Sequence, residues 1–218
     1  GSESKQCGNG SRCVAKFLWD KQLSCNKKLV LQTRAGRMTT ERTDSNWFRV
    51  DVGTPRFAPE AIPFQPKEGE TAPFYCVLEH LGRRPFGIAN VGNPHAVVLV
   101  ENLSNIDVAN AARDFRERTD FGEGVNVGFM ERSSSDTIQL RVDERGAGET
   151  LACGSGACAA VAIGRDLAQL DPKVTVVMPG GKLEVSWPGP KAAIWLSGPA
   201  EKVFDGKIKV NGHQQRYS

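Results

Sequence analysis

Two near-identical tetrads constrain the fold of this chain more than any other feature. They read Cys7-Gly8-Asn9-Gly10 and Cys153-Gly154-Ser155-Gly156, and each runs directly into an apolar stretch that predicts a helix. Glycines after a cysteine allow a tight turn with exposed N–H groups, and the helix start adds a partial positive charge that favours a thiolate or a carboxylate. The repeat predicts two similar units, each presenting one cysteine at a helix start.

The two helices differ in how far they are expected to be buried. After the second tetrad, residues 157–163 are apolar throughout, which predicts a helix enclosed on every side. A further amphipathic helix is predicted from Asp107 to Arg116. Cys158 falls within the enclosed helix, so we expect it to pack in a core. The first helix predicts a single buried face, made of Cys13, Val14, Phe17 and Leu18.

Most of the remaining chain predicts short β-strands separated by turn signals rich in glycine and proline. Many strands around one enclosed helix indicate a barrel-like α+β domain, and the repeated tetrad indicates that the domain is duplicated. The predicted strands are Leu29 to Thr33, Trp47 to Val52, Phe74 to Leu78, His95 to Glu101, Thr137 to Val142, Val174 to Met178, Lys182 to Trp187 and Ala193 to Leu196.

A proline-rich segment from Gly53 to Pro66 divides the chain and predicts a linker. The roughly fifty residues before it are too few for a domain matching the one that follows. We therefore expect residues 1–54 to be the remnant of an N-terminal domain, to which residues 199–218 return. Residues 55–198 are expected to form the C-terminal domain.

The composition excludes several classes of protein. With 28 Lys and Arg against 25 Asp and Glu, the formal charge is +3 and no basic cluster stands out, so a nucleic-acid partner is not expected. No apolar run is long enough to span a membrane and no signal peptide is evident, which favours the cytoplasm. Six cysteines without zinc-knuckle spacing favour free thiols over a disulfide framework or a metal site.

Four segments, taken together and in order, resemble the diaminopimelate epimerase family. The resemblance extends from Gly1 to about Lys209. It implies a cofactor-independent epimerase that interconverts LL- and meso-diaminopimelate in lysine and peptidoglycan precursor synthesis. The implied fold has two pseudo-symmetric β-barrel domains, each around a central helix. The segments are residues 7–13, Gly92-Asn93-Pro94-His95, residues 125–129 and residues 144–158.

The chemistry of inversion fits two cysteines. An amino-acid α-carbon is inverted when a base removes a proton from one face and an acid delivers a proton to the other. Cys7 and Cys153 would supply that pair. No lysine motif suggests a pyridoxal Schiff base, so we expect no cofactor and no metal, and the carbanion must be stabilised by hydrogen bonds and dipoles.

The resemblance also implies roles for the residues around the cysteines. His95 and Glu144 would tune proton abstraction, and Glu144 also suits the substrate ammonium. Arg145 would bind the distal carboxylate of the substrate through two parallel hydrogen bonds. Asn93 and Asn126 would complete recognition of the distal amino-acid end. The backbone N–H groups expected to bind the reacting carboxylate are those that follow the two cysteines, at Gly8, Asn9, Gly154 and Ser155.

The chain departs from the family pattern in three places. The family's opening segment is absent from this sequence, so we expect a chain truncated at its N-terminus. Asp143 replaces a common aromatic residue, and Phe204 replaces a tyrosine linked to dimer contact, although a homodimer is still expected. Three alternatives stay open: a proline-type racemase or epimerase, a thiol–disulfide redox protein, and an inactive fragment of the epimerase.

Overall fold

The computed structural model describes residues 7–206 except 35, 45, 122 and 123. Three α-helices lie in this part of the chain: α1 (Gly8–Asp20), α2 (Val108–Arg118) and α3 (Gly154–Leu167). The strands are β1 (Lys28–Thr33), β2 (Gly36–Arg42), β3 (Trp47–Gly53), β4 (Phe74–Leu78), β5 (Gly82–Asn90), β6 (Pro94–Val100), β7 (Asn126–Arg132), β8 (Thr137–Glu144), β9 (Gly148–Thr150), β10 (Lys173–Met178), β11 (Gly181–Ser186) and β12 (Ile194–Pro199).

The strands form one continuous mixed sheet, which confirms the α+β class. Its order is β1-β2-β3-β12-β11-β10-β8-β7-β6-β5-β4, with β9 added beside β8. The pairs β6–β7 and β8–β10 are parallel, and the other pairs are antiparallel. Closure of the sheet into two barrels stays a prediction.

Strand β12 joins the three N-terminal strands to the rest of the sheet. It pairs with β11 on one side and with β3 on the other, where Leu196 lies opposite Val50. Just beyond β12, Ala200 donates its N–H to the Asn46 carbonyl and packs with Trp19 in a small core. The division into two domains stays a prediction, and most of the returning segment, residues 207–218, lies outside the described residues.

Helix α3 is the centre of the larger core, as its sequence predicts. Every residue from Gly156 to Gly164 is buried, Cys158 included. The helix packs against β5, β6, β7 and β8 on one side and against β11 and β12 on another. Because no polar side chain interrupts residues 157–163, every face of this helix can be buried without stranding a hydrogen-bonding group.

The predicted buried face of α1 is wrong. Val14 and Phe17 are 47% and 54% exposed, and Cys13 is exposed as well. The face that packs against β2, β3 and β12 is the opposite one, made of Ser11, Arg12, Ala15 and Trp19. Both faces carry apolar residues, so periodicity alone could not say which one the sheet covers.

All eight strands predicted from the sequence are present. For two of the additional strands, the composition explains why the sequence did not predict them. Strand β2 is polar apart from Met38, and only Met38 and Thr40 along it are buried. Strand β5 begins with Gly82, two arginines and Pro85, a composition typical of a loop. The helix predicted from Asp107 to Arg116 is confirmed as α2, with Asp107 as its N-cap: the Asp107 carboxylate accepts the N–H of Asn110.

Within the described ranges, no helix combines the length and the apolar character needed to cross a membrane.

Candidate active site

The two tetrads fold into the same local structure. Cys7 and Cys153 are the N-caps of α1 and α3, and both have extended backbone angles. Each sulfur accepts an N–H from the glycine three residues later, Gly10 or Gly156, at 3.3 Å. A cysteine in this position satisfies one of the free N–H groups of the first turn and places its sulfur at the positive end of the helix.

The starts of the two helices meet over one side chain. A Cβ added to Gly8 would lie 2.9 Å from Leu196 Cδ2, and a Cβ added to Gly154 would lie 2.8 Å from the same atom. The Cβ added to Gly154 would also lie 3.2 Å from Asn9 Oδ1 on the other helix. The glycines that follow the two cysteines therefore allow the two helix starts to approach closely around Leu196.

A cleft of about 580 Å³ opens where the helices converge. Both cysteines line it, but Cys7 is exposed whereas Cys153 is only 4% exposed. The cleft brings together most of the residues predicted for the site. Its lining includes Cys7, Gly8, Asn9, Asn93, Glu144, Arg145, Cys153, Gly154 and Ser155.

His95 lies behind the cleft rather than in its lining. It is fully buried in β6, and its Nε2 is 3.0 Å from both Asn93 Oδ1 and Ser155 Oγ. The Ser155 hydroxyl is in turn 3.5 Å from the Cys153 sulfur. Burial lowers the pKa of His95 to about 3, so the ring is neutral at physiological pH.

Burial raises the pKa of the Cys153 thiol to about 11. The Ser155 hydroxyl opposes this shift, the negative charge of Glu144 adds to it, and the Gly156 N–H opposes it. Glu144 itself is held by Thr150, whose hydroxyl donates to Oε1 at 2.6 Å. Cys153 is therefore a thiol in the open cleft.

Asn126 is predicted to bind substrate, but both ends of its amide contact the backbone. Its Nδ2 donates to the Pro94 carbonyl at 3.1 Å, and its Oδ1 accepts the Arg145 N–H at 2.8 Å. Pro94 and Arg145 both line the cleft, whereas Asn126 is buried outside its lining. These contacts tie two walls of the cleft together, and direct substrate binding by Asn126 stays a prediction.

Reasoning from the sequence missed a supporting ion pair next to the site. The Arg116 guanidinium lies 2.7 Å from the Asp143 carboxylate and also donates to the backbone carbonyls of Val125 and Asp143. These contacts hold the start of β7 and the end of β8, the strands that carry Asn126 and Glu144. The signal was Asp143 itself, an acidic residue in a motif where the resembling family often has an aromatic one.

The sequence also matches a known protein family. The sequence model of diaminopimelate epimerase matches residues 1–58 and 87–203. The chain belongs to the diaminopimelate epimerase family. Both tetrads, the residue 92–95 motif and the residue 144–158 segment lie within the matched ranges, whereas β4 and most of β5 lie outside them.

Solved structures share the fold at low sequence identity. A hydroxyproline epimerase from Agrobacterium vitis with bound trans-4-hydroxy-L-proline is similar to 90% of this chain, with 16% identity and a TM-score of 0.62. A phenazine biosynthesis PhzC/PhzF protein from Clostridium difficile is similar over 96%, with 15% identity and a TM-score of 0.64. This chain spans 64% of the length of the first protein and 75% of the second.

Proposed function

We propose that this chain interconverts LL- and meso-diaminopimelate by moving protons at one α-carbon between Cys7 and Cys153. The observation that carries the proposal is the convergence of the two cysteine-capped helices over Leu196, with both cysteines lining one cleft. Epimerisation needs an acid and a base on opposite faces of a carbon, and two cysteines on separate helices can supply them.

The unequal burial of the cysteines suggests which of them donates a proton. Because burial raises the pKa of Cys153 to about 11, its thiol carries the proton that the substrate is to receive. Cys7, exposed in the cleft, is then the residue that removes the proton from the opposite face. The roles exchange when the reaction runs backwards, because the same two groups then act in reverse order.

The starts of α1 and α3 suit the reacting carboxylate. N–H groups in the first turn of a helix lack partners within the helix, and the helix dipole favours an anion there. The N–H groups of Gly8, Asn9, Gly154 and Ser155 would bind the carboxylate and stabilise the carbanion formed beside it.

The polar lining of the cleft supports a substrate with a second charged end. Arg145 is exposed there and offers a guanidinium to a distal carboxylate, while Glu144 and Asn93 offer oxygens to an ammonium group. The similarity to a hydroxyproline epimerase supports a second candidate, a proline-type racemase or epimerase. That substrate has no distal carboxylate, so Arg145→Met should impair turnover of diaminopimelate and leave turnover of proline unchanged.

Exchange of the α-hydrogen with solvent tests the function directly. Proton NMR in deuterated water should show loss of the α-proton signal of LL-diaminopimelate in the presence of the protein. Loss of signal only from L-proline or trans-4-hydroxy-L-proline would select the second candidate. Retention of every α-proton during prolonged incubation would mean that this chain is inactive and would overturn both.

Substitution of either cysteine should abolish the reaction. We expect Cys7→Ala and Cys153→Ala each to reduce turnover at least a thousandfold, roughly 4 kcal/mol, because each removes an essential acid or base. Cys13→Ala is the matched control, since Cys13 is also in α1 and exposed but does not line the cleft. Turnover close to wild type in either site variant would contradict the two-cysteine mechanism.

A further inference from the structure

A chain of hydrogen-bonding groups leads from β6 to the Cys153 sulfur. Asn93 Oδ1 and Ser155 Oγ both lie 3.0 Å from His95 Nε2, and Ser155 Oγ lies 3.5 Å from Cys153 Sγ. Ser155 is the second residue of α3 and is partly buried. Its hydroxyl is therefore the connection between a buried imidazole and the sulfur at the start of the helix.

The partners fix the direction of these hydrogen bonds. Asn93 Oδ1 can only accept, so His95 Nε2 must carry the proton, which it shares between Asn93 and the Ser155 oxygen. With its oxygen accepting from His95, the Ser155 hydroxyl directs its own proton towards the Cys153 sulfur. His95 is thus a donor in this arrangement and not a base.

The other ring nitrogen supports this tautomer. His95 Nδ1 is buried and has no hydrogen-bond partner among the described residues. Moving the ring proton to Nδ1 would bury an N–H without an acceptor and leave Nε2 facing the Asn93 oxygen without a proton, which costs more than leaving Nδ1 as a bare ring nitrogen. Burial accordingly lowers the pKa of His95 to about 3, and the ring stays neutral.

The Cys153 sulfur needs such donors once it has given up its proton. In that step the S–H bond breaks, a C–H bond forms on the substrate carbanion, and a thiolate that is only 4% exposed remains. A buried anion is costly unless hydrogen bonds stabilise it. The Gly156 N–H supplies one hydrogen bond at 3.3 Å, and the Ser155 hydroxyl is the second donor within reach.

The charged groups nearby give the thiolate little further help. The carboxylate of Glu144 disfavours the anion. Among the described residues, the other titratable groups near the sulfur are Cys158 on the same helix, His95 on β6, Cys7 and Arg145 in the cleft, and Arg12 beside Cys158.

We propose that Ser155 is a positioning residue, held by neutral His95 so that its hydroxyl donates to the Cys153 sulfur when that sulfur becomes a thiolate. The inference rests on the proposed role of Cys153 as a proton donor and deepens it. The hydroxyl proton stays on Ser155 throughout, and His95 neither gains nor loses a proton.

The other tetrad has no equivalent arrangement. Asn9 occupies the position that corresponds to Ser155, and its Oδ1 has no hydrogen-bond partner among the described residues. Cys7 is exposed, so water can stabilise its thiolate. The extra donor therefore belongs to the buried cysteine, which is the one that needs it.

Alkylation of Cys153 by iodoacetamide at a series of pH values tests the proposal without any substrate. A peptide-resolved mass spectrum measures each cysteine separately, and the alkylation rate follows the thiolate fraction. Ser155→Ala should shift the Cys153 profile to higher pH by about one unit, a tenfold lower rate at a fixed pH, because a hydrogen bond to a charged group is lost. Ser155→Thr keeps the hydroxyl and should keep the wild-type profile.

Two substitutions of His95 separate a donor from a base. The amide N–H of glutamine can replace Nε2–H, so His95→Gln should retain most of the wild-type Cys153 profile, whereas His95→Leu should shift it as Ser155→Ala does. The Cys7 profile, measured in the same spectra, should not move in any variant. An unshifted Ser155→Ala profile, or a His95→Gln profile shifted as far as that of His95→Leu, would overturn the proposal.

Kinetics give a second readout. In Ser155→Ala we expect kcat to fall about tenfold with KM unchanged, because the lost hydrogen bond acts on the thiolate formed during the reaction. A raised KM with unchanged kcat would assign the hydroxyl to substrate binding and overturn the proposal. If no substrate is turned over, the alkylation profiles still decide the hydrogen-bond chain, so failure of the proposed function is distinguishable. Should His95→Leu fail to fold, the Ser155 pair alone decides.

Discussion

At the scale of single residues, identical side chains acquire different chemistry from their surroundings. Cys7 and Cys153 have the same N-cap geometry and the same 3.3 Å hydrogen bond to a glycine N–H. Only Cys153 is buried, beside Glu144 and Ser155, and burial raises its pKa to about 11. Burial, and not the local N-cap geometry, therefore distinguishes the two cysteines.

His95 should make the protein sensitive to mild acid. Its folded pKa of about 3 lies below the ordinary 6.5, so between these values the unfolded chain binds a proton that the folded chain does not. The contribution of His95 to the free energy of unfolding is fully present above pH 6.5. It falls as the pH falls towards 3, by at most about 1.4 kcal/mol for each pH unit. Urea denaturation at successive pH values measures this slope.

The slope can be assigned to His95 by substitution. His95→Gln removes the titrating ring and should flatten the pH dependence above about pH 5, where most carboxylates are still ionised. His80→Gln is the matched control, because His80 is exposed between β4 and β5 and should leave the slope in place. An unchanged slope in His95→Gln would show that another group is responsible.

At this scale the sequence predicts the candidate reactive residues but not the residues that support them. Cys7, Cys153 and Arg145 belong to motifs whose residue types point to their chemistry, and all three line the cleft. Leu196 belongs to no motif, and its position between the helices depends on the pairing of β12 with β3. The Ser155 side chain likewise gains its role only from a contact with β6, far away in the chain.

At the scale of elements, the glycines of the tetrads set how closely the two helices approach. Gly8 and Gly154 both face Leu196 Cδ2, at a distance that leaves no room for a Cβ. Leu196 is fully buried, so it cannot move away freely. The repeated glycine therefore has a packing reason in addition to its exposed N–H group.

A methyl group at Gly154 should destabilise the fold through this contact. We expect Gly154→Ala to lower the free energy of unfolding by about 1–3 kcal/mol through overpacking. Leu196→Ala should lower it by about 2–5 kcal/mol through the cavity it leaves. Denaturant titration of both single variants and the double variant measures these losses.

The double variant provides the specific test of the contact. Leu196→Ala removes the atom that the new methyl group would meet. The double variant should therefore lose less unfolding free energy than the two single losses added together, by about 1 kcal/mol or more. Simple additivity would show that Gly154 is constrained by something other than Leu196.

At the scale of the whole molecule, helices α1 and α3, which follow the two tetrads, are buried to different extents. Helix α3 has strands on several sides, whereas α1 packs on β2, β3 and β12 with one face and exposes Val14 and Phe17 on the other. Exposed apolar side chains one turn apart on a helix favour self-association.

A charge introduced on the exposed face of α1 should therefore have a small effect on folding, whereas a charge introduced on α3 should have a large one. Phe17→Glu should change the unfolding free energy of this chain by no more than about 0.5 kcal/mol, because the side chain is 54% exposed. It should also lower any concentration-dependent self-association seen by analytical ultracentrifugation. Ala160→Glu buries a charge without a partner and should prevent folding, as circular dichroism would show. A large loss of stability in Phe17→Glu would mean that this face is covered.

Local chemistry in the sequence was enough to determine the helix starts, most strands, the enclosed character of α3 and the pair of candidate cysteines. These features depend on neighbouring residues, namely glycine turns, N-caps and apolar periodicity. Tertiary structure alone decided which face of α1 is buried, that Leu196 separates the helix starts, and that Cys153 but not Cys7 is removed from water. Those properties arise from strand pairings between distant parts of the chain, and burial, which sets the pKa of a thiol, exists only once the pairings have formed.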